Sequence, residues 1–513
     1  MRKTKSIHLF CLLFSVSIIS CANVPPAPQP EPTKTVNIVA FNDFHGAIDE
    51  EGEHIGLLKL GSFIKEKSGK KNTLVLSQGD DWQGSIYSNH NRGQLVTDVF
   101  NYAGLSARTV GNHDFDWGVD AIKANTARSY EGRTTPTLAA NIYDYDFTTK
   151  TVGHIQQSDI GQKTTTYTLD NGLKVGIVGV IGSNQITAIS SYYVQDIHFV
   201  DHIQVIKDEA TNLREDGCDI VIACVHGGEE DVLGNNLSNY VDLVLCGHTH
   251  RRTESNEDGL YFYQFGSYGS YIGDITLTYD TKDKKITNTR CSVINSNTIN
   301  GYLESIDSNI ESIIDEYKSQ CELEANEVVV SEVSGYWGKT EQLPNLMAKA
   351  IYDTAVTQGY TVDLAYTNES RNYIDRYKEN WLYSDIYSAF PFDNTVFIAE
   401  VTGEELYQEV YNYNNVYFNP SFNKTIIADQ KYTVAIIDYL LYHTNSNRYY
   451  DFFSSLNPDT SIKGIITSNY RLLLKEWLNK EGYTSGEKTL LSDDYLTRLD
   501  SFNGKSVVLE QEN

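Results

Sequence analysis

Positive charge is scarce in this chain: 41 Lys and Arg stand against 68 Asp and Glu over 513 residues, a formal net charge of −27. Polyphosphate backbones attract basic faces and repel acidic ones, so this balance argues against a nucleic-acid polymer as partner. A small anionic substrate stays compatible where cations gather locally. Cysteine is sparse too: the seven are widely spaced, which argues against a disulfide framework. Cys224 and Cys246 fall inside apolar runs and are expected as small buried hydrophobes. No apolar run reaches the length of a comfortable membrane span, the one at 7–19 being too short. Repeats are absent, and so is low complexity beyond residue 34, while the length exceeds what one core organises. Two globular domains, or a large one with an insertion, are expected.

The chain opens with Arg2, Lys3 and Lys5 ahead of the 7–19 run, the order of a secretory signal. Ile18-Ile19-Ser20-Cys21 resembles a bacterial lipobox. Residues 1–20 are therefore expected to be a lipoprotein signal peptide with Cys21 acylated, leaving the protein exported and lipid-anchored to a membrane, facing periplasm or exterior. An ordinary signal peptide with a chance Cys is the alternative. Residues 21–34 contain Pro25, Pro26, Pro28, Pro30 and Pro32, cannot hold regular hydrogen-bonded structure, and are expected as an extended tether.

From Val36 the pattern changes. Apolar runs at 36–41, 73–76, 107–110, 175–181, 219–225 and 241–246 read as buried strands, and helical spacing appears at 57–67, 95–103, 119–127 and 205–213. Alternation of this kind predicts an α/β layered domain with polar loops at strand ends. Asp170-Asn171-Gly172 predicts a hairpin and some antiparallel pairing. Residues 302–321 read as one amphipathic connecting helix. A second α/β region follows, with strands at 327–333, 362–366, 395–401 and 432–437 and helices at 343–355, 403–413 and from 468. The expected division is 35–298, a linker helix at 299–325, and 326–513.

Five polar clusters stand just past apolar runs: Asp43-Phe44-His45, Gly79-Asp80-Asp81, Asn112-His113 with Asp116, His226-Gly227-Gly228, and Gly247-His248-Thr249-His250. Each alone is an ordinary loop. Together, carboxylate, amide oxygen and imidazole suit divalent transition metals, and a carboxylate shared between two ions would lower their repulsion. Neighbouring glycines let the backbone turn sharply enough for the side chains to converge.

In this order the motifs resemble the calcineurin-like metallophosphoesterases, specifically the secreted 5′-nucleotidases and their 2′,3′-cyclic-nucleotide phosphodiesterase and nucleotide-sugar hydrolase relatives. The resemblance implies an N-terminal four-layer αββα metallophosphoesterase domain, a linker helix and a smaller α/β 5′-nucleotidase C-terminal domain. It implies two divalent ions, Zn, Mn or Co, one held by Asp43, His45, Asp80 and His250 and the other by Asp80, Asn112, His226 and His248. A metal-activated hydroxide would then attack phosphorus without a protein nucleophile. His113 and Asp116 would form the unmetallated catalytic dyad, stabilising charge and assisting the leaving alkoxide. Asp81 and Asp114 are read as supporting or solvated acids.

The C-terminal resemblance rests on Tyr383-Ser384-Asp385-Ile386-Tyr387, Phe390-Pro391-Phe392-Asp393-Asn394, Val401-Thr402-Gly403 and Thr340-Glu341-Gln342-Leu343-Pro344-Asn345-Leu346. Relatives place two arginines on substrate here. In this chain Lys339 stands near the first, and Asn368-Glu369-Ser370-Arg371 replaces the Gly-rich turn that carries the second. A lysine supplies a point charge where arginine supplies a bidentate fork. A later Gly-rich loop appears as His443-Thr444-Asn445-Ser446-Asn447, without glycines. Tyr439, with Tyr417 or Phe418, is the expected stacking surface for a base. Expected substrate contacts are thus Arg371, Tyr439, Lys339 and Asn368. The expected activity is hydrolysis of extracellular nucleotides to nucleoside and phosphate, with a cyclic-nucleotide phosphodiesterase, a nucleotide-sugar hydrolase or a non-enzymatic surface ligand-binding lipoprotein as alternatives. No obligate protein partner is implied.

Overall fold

The computed structural model describes residues 33–146, 149, 151–375, 378–406, 416–418, 427–442 and 461–495. The expected signal peptide, Cys21 and nearly all of the expected tether lie outside the described residues, as do the 443–447 stretch and the part of the expected 403–413 helix beyond Leu406. Among the described residues no helix is long and apolar enough to cross a membrane.

Two six-stranded sheets face each other in the first half. In one, Thr33–Phe41, Thr73–Ser77, Ala107–Thr109 and Thr137–Leu138 run parallel, and Tyr271–Asp280 and Lys285–Asn295 add antiparallel strands at the other edge. In the other, Lys174–Ile181, Ile220–His226, Leu243–Cys246 and Leu260–Phe265 run parallel, flanked by antiparallel Thr164–Thr168 and Arg252–Glu257. The expected hairpin at 170–172 joins Thr164–Thr168 to Lys174–Ile181, with Thr168 opposite Lys174.

The layer order follows from strand periodicity, since successive side chains point to opposite faces. Val36, Ile38 and Ala40 meet Val175, Ile177, Ile220, Ile222, Leu243 and Leu245 between the sheets. Their neighbours Val39 and Phe41 pack outward with Leu60, Phe63, Val96 and Val99 of the helices Leu57–Ser68 and Gln94–Ala103. Val178, Val180, Val221 and Ala223 pack on the opposite side with Val205, Ile206 and Leu213 of the helix His202–Glu215. The result is the expected αββα arrangement. Cys224 lies between the sheets and Cys246 beneath that last helix, both buried and free.

The connecting helix runs Ser308–Ala325 and starts later than its periodicity implies. Asp307 sets the start: its side chain accepts hydrogen bonds from the Asn309 and Ile310 amides at 2.9 and 3.2 Å, leaving 302–306 as the approach. Ile310, Ile313 and Ile314 pack into the first half's helical layer, whereas Ala325 joins the second half's core. That core surrounds a five-stranded sheet, in which Lys431–Ile437 lies between parallel Leu364–Thr367 and antiparallel Val396–Thr402. The helices Gln342–Thr357 and Tyr470–Lys480 cover it. The strand expected at 327–333 is two short ones, Val328–Val330 and Val333–Ser334. They pair with different partners, Trp381–Leu382 and Leu490–Leu491, because the chain turns away at Ser331 to bond Tyr483 and Thr484.

Candidate active site

All five polar clusters lie at the carboxyl ends of parallel strands, where both sheets deliver their loops to one edge. Convergence requires unusual backbone. Asp43, His45, Asp80, His248 and His250 all adopt positive φ, between 49° and 71°. Such left-handed positions are disfavoured for residues with a Cβ and concentrate where surrounding structure enforces them for a functional purpose. Gly79 turns at φ 93°, and a Cβ at Gly111 would collide with the Asp80 carboxylate.

Two clusters result, Asp43 with His45 and His250, and Asp80 with His226 and His248, each with ligand-type atoms within 4.8 Å of one another. In the first, His250 Nε2 lies 3.4 Å from Asp43 Oδ1 and 3.0 Å from His45 Nε2. In the second, His226 Nε2 lies 3.3 Å from Asp80 Oδ2. Asn112 Oδ1 sits between His226 Nε2 at 2.9 Å and His248 Nδ1 at 2.8 Å. Asp80 Oδ2 is also 3.9 Å from His45 Nε2, so this carboxylate faces both clusters.

The surrounding hydrogen bonds orient these groups for a cation. His45 Nδ1 donates to the Gln83 carbonyl at 2.9 Å and His226 Nδ1 to the Gln78 carbonyl at 2.8 Å, leaving each Nε2 lone pair turned inward. Asn42 and the His248 amide donate to Asp43 Oδ2 at 2.6 and 2.7 Å, and the His113 amide donates to Asp80 Oδ1 at 2.9 Å. The remaining oxygens, Asp43 Oδ1 and Asp80 Oδ2, are buried with no hydrogen-bond partner. Buried carboxylate oxygens without partners are costly, and a divalent ion at each cluster would satisfy them. The donor set of carboxylate, imidazole and amide oxygen fits such ions.

Electrostatics describe the same concentration of negative charge. Burial works to raise Asp80, yet His226 and His113 hold it well below the usual carboxylate range. Burial opposes protonation of His226, but Asp80 and Asp43 push it up to about 10. A cation would take the place of that proton. His248, by contrast, is pushed down to about 4 by burial and by His226.

His113 stands apart from both clusters in the 3₁₀ turn His113–Trp117, whose geometry places residue i+3 beneath it. Its Nδ1 donates to Asp116 Oδ2 at 3.0 Å. Burial works against the charged ring, and Asp116 and Asp80 outweigh it, so its affinity for a proton is raised. Asp81 and Asp114 correct the solvated reading: both are fully buried and share an ion pair to Arg108, itself 4% exposed. Burial pushes Asp114 up to about 7 despite Arg108.

The second half closes over this edge. A cavity of about 490 Å³ is lined by Asn112, His113, Asp116, His248 and His250 from the first half and by Lys339, Asn368, Arg371, Phe392 and Tyr439 from the second. All four expected substrate contacts therefore face the same space. The Ser370 amide donates to the Lys339 carbonyl at 3.0 Å, which joins the two altered loops. Arg371 reaches furthest: Nε donates to Tyr268 Oη at 2.8 Å, and Nη2 lies 3.3 Å from His45 Nε2 and 3.5 Å from His250 Nε2.

The side chains of Tyr417 and Phe418 lie outside the described residues. Phe392 instead supplies a second aromatic wall beside Tyr439, its ring 5.3 Å from that of His113 and stacked at 22°. Phe392 belonged to a motif legible in sequence, but nothing there marked it as facing a pocket. Tyr268 carried no sequence signal. Arg108 did carry one, a lone charge within an apolar strand, which demands buried partners.

Tyr193, which also lines the cavity, donates from Oη to Asp438 Oδ2 at 2.9 Å, joining the two halves. Burial pushes Asp438 up to about 7. Between its unfolded value near 3.8 and about 7 the folded state holds a proton that the unfolded state lacks, so stability falls as pH rises through this window. Asp438→Asn mimics the protonated acid. Urea unfolding should find the variant more stable than the parent at pH 8, by up to about 4 kcal/mol, with the difference vanishing near pH 4. A constant difference across pH would contradict the assignment.

Residues 36–252 match the family described as calcineurin-like phosphoesterase and residues 325–426 the 5′-nucleotidase C-terminal domain. The chain is similar to an apyrase of Tabanus yao, 25% identical over 451 residues that cover 77% of each chain. It is also similar to an NAD 5′-nucleotidase of Haemophilus influenzae, 22% identical over 475 residues covering 78% of this chain and 77% of that one. Among solved structures it resembles a 5′-nucleotidase precursor from Thermus thermophilus, with a TM-score of 0.69 and 15% identity over 89% of this chain and 99% of that one.

Proposed function

We propose, from the premise that this chain belongs to the calcineurin-like phosphoesterases that carry a 5′-nucleotidase C-terminal domain and is a metal-dependent phosphoric ester hydrolase, that it releases phosphate from extracellular nucleoside 5′-monophosphates. The observation that carries this reading is the position of Arg371, a side chain of the second half set against His45 and His250 in a cavity that also contains Tyr439 and Phe392. A phosphate at the paired clusters and an aromatic base beside those rings would occupy one continuous space.

In this reading Asp43, His45, Asp80 and His250 would hold one divalent ion and Asp80, Asn112, His226 and His248 the other. Such ions would supply an activated water and neutralise charge on the phosphoryl group. The chain's own groups do the rest. Arg371 binds a phosphoryl oxygen with Nη2 while Tyr268 fixes its Nε, so that the guanidinium is oriented before substrate arrives. Lys339 and Asn368 line the same cavity and add charge and a hydrogen-bond donor. His113, oriented by Asp116 through Nδ1, carries a proton on Nε2 to the departing 5′-oxygen. Tyr439 and Phe392 hold the base by their faces.

Residues 35–298 would thus carry the chemistry, 299–325 join the halves and 326–513 supply substrate recognition. Export with Cys21 acylated completes the proposal; the Arg2-to-Ile19 pattern and the Ile18-Ile19-Ser20-Cys21 tetrapeptide support it.

The purified protein should release phosphate from AMP when supplied with Mn²⁺ or Zn²⁺, and lose the activity on chelation. The same assay should include 2′,3′-cyclic AMP, a nucleotide sugar and an aryl phosphate. Preference for either of the first two would redirect the substrate assignment. Silence across the panel with both metals would leave only a ligand-binding protein.

A further inference from the structure

Behind the loops that present the proposed ligands lies a buried ion triad that the chemistry above does not use. Arg108, in the strand Ala107–Thr109, divides its fork between two carboxylates. Nε donates to Asp81 Oδ2 at 2.9 Å and Nη2 to Asp114 Oδ2 at 2.6 Å. Its guanidinium carbon lies 3.8 Å from the centroid of the Trp82 ring. Both carboxylates are tied down further: Ser77 Oγ donates to Asp81 Oδ1 at 2.6 Å, and the Gly111 amide donates to Asp114 Oδ2 at 2.8 Å.

Three charged groups taken out of water contribute little net stability compared with apolar residues of the same volume, so a role in geometry is the better account. The connections define that geometry. Asp81 directly follows Asp80. Asp114 directly follows His113 and closes the turn that begins at Gly111 and carries Asn112. Between these two turns the His113 amide donates to Asp80 Oδ1 at 2.9 Å, and Gly111 passes so near the Asp80 carboxylate that no larger residue fits. Small shifts of one turn against the other would move Asp80 relative to both Asn112 and His113.

We propose that Arg108 is a positioning residue whose fork clamps the Gly79–Asp81 turn to the Gly111–Asp114 turn, and so sets the spacing between the carboxylate that faces both clusters and the groups that complete the second. The inference rests on the reading that these clusters hold two divalent ions. Lysine would keep the charge and lose the clamp, because a single ammonium cannot reproduce a planar fork directed at two carboxylates.

The test uses the full-length protein and Mn²⁺ as the probe ion. Equilibrium dialysis measures how many ions bind and how tightly, and electron paramagnetic resonance measures the coupling of the Mn²⁺ pair, which depends on their spacing and bridge. Wild type is expected to bind two coupled ions; if it does not, the metal reading fails and the clamp is not what was refuted. Arg108→Lys is expected to weaken Mn²⁺ binding about 10- to 100-fold and to alter the coupling. Its kcat on AMP should fall with KM little changed, as for a group that acts through others.

Asp114→Ala, which removes one arm, should do the same to a lesser extent. Asp114→Asn keeps an acceptor for Arg108 and Gly111 and should recover most of what the alanine loses. If Arg108→Lys fails to fold, the Asp114 pair decides alone. Wild-type affinity and coupling in Arg108→Lys and Asp114→Ala, with only a lower melting temperature, would overturn the clamp. So would equal losses in Asp114→Ala and Asp114→Asn.

Discussion

Asp80→Ala is expected to release both ions and to lower kcat/KM on AMP by about 10⁴-fold or more. The reason lies in how many jobs one carboxylate does. Asp80 Oδ2 lies 3.3 Å from His226 Nε2 and 3.9 Å from His45 Nε2, so it faces both clusters. Oδ1 meanwhile accepts the His113 amide at 2.9 Å and so anchors the turn that carries the proposed general acid. Without the carboxylate, five imidazoles from His45, His113, His226, His248 and His250 share the site with Asp43 and, beside His113, Asp116. The second cluster then loses its carboxylate, and the first keeps Asp43 but loses the carboxylate it shares with the second. Metal content after gel filtration checks the claim directly, and circular dichroism shows whether the fold survives. Retention of two ions by a folded Asp80→Ala protein would remove Asp80 from its proposed position between them.

His113→Ala should separate catalysis from metal binding. Its ring is hydrogen-bonded to Asp116 at 3.0 Å and takes no part in either cluster of ligand-type atoms. Both ions should therefore stay, while kcat on AMP falls about 10²- to 10⁴-fold, the range for removal of a positioned general acid. A further signature follows from the chemistry of the leaving group. A nucleoside 5′-alkoxide needs a proton to depart, whereas a nitrophenolate does not. The loss on an aryl phosphate with such a leaving group should be much smaller than the loss on AMP. An equal loss on both would assign His113 to charge stabilisation at phosphorus, and parallel loss of metal would make it a ligand.

The elements were largely legible. Continuous apolar runs and period-3.6 patterning marked these strands and helices within a few residues, because burying a sheet between a helical layer and the other sheet demands apolar side chains on both faces of its central strands. The connecting helix was misjudged at its start because apolar spacing continued back to Leu303, while the Asp307 cap was an ordinary Asp among many. The single strand expected at 327–333 failed for a related reason. Its apolar content was right, but the change of partner at Ser331 depends on segments far along the chain, at Trp381–Leu382 and at 483–491.

The chemistry followed the same division. Five motifs, each a common loop alone, were informative as a set because their side chains are complementary and each follows a strand. That much requires only order and composition, and it pointed to the family and to hydrolysis of a phosphoric ester. What order cannot convey is how the chain reaches the arrangement. Five of the proposed ligands hold left-handed backbone, a state that neighbouring hydrogen bonds impose and that no residue type among Asp and His announces. Asp81 and Asp114 read as supporting or solvated acids, and the strand ends, by bringing both to Arg108, made them supporting ones.

The amino-acid sequence by itself determined the layered α/β class, the family and the candidate ligands, because these depend on local periodicity and on residue chemistry at strand ends. The resemblance already put Asp80 in both ligand sets; only the tertiary structure decided its distances to each cluster, that Arg371 reaches the first of them from the other half, and that Phe392 lines the cavity together with Tyr439. Those are relations between loops far apart in the chain. Their distances are set by sheet register and by the docking of two cores, which no short stretch of sequence encodes.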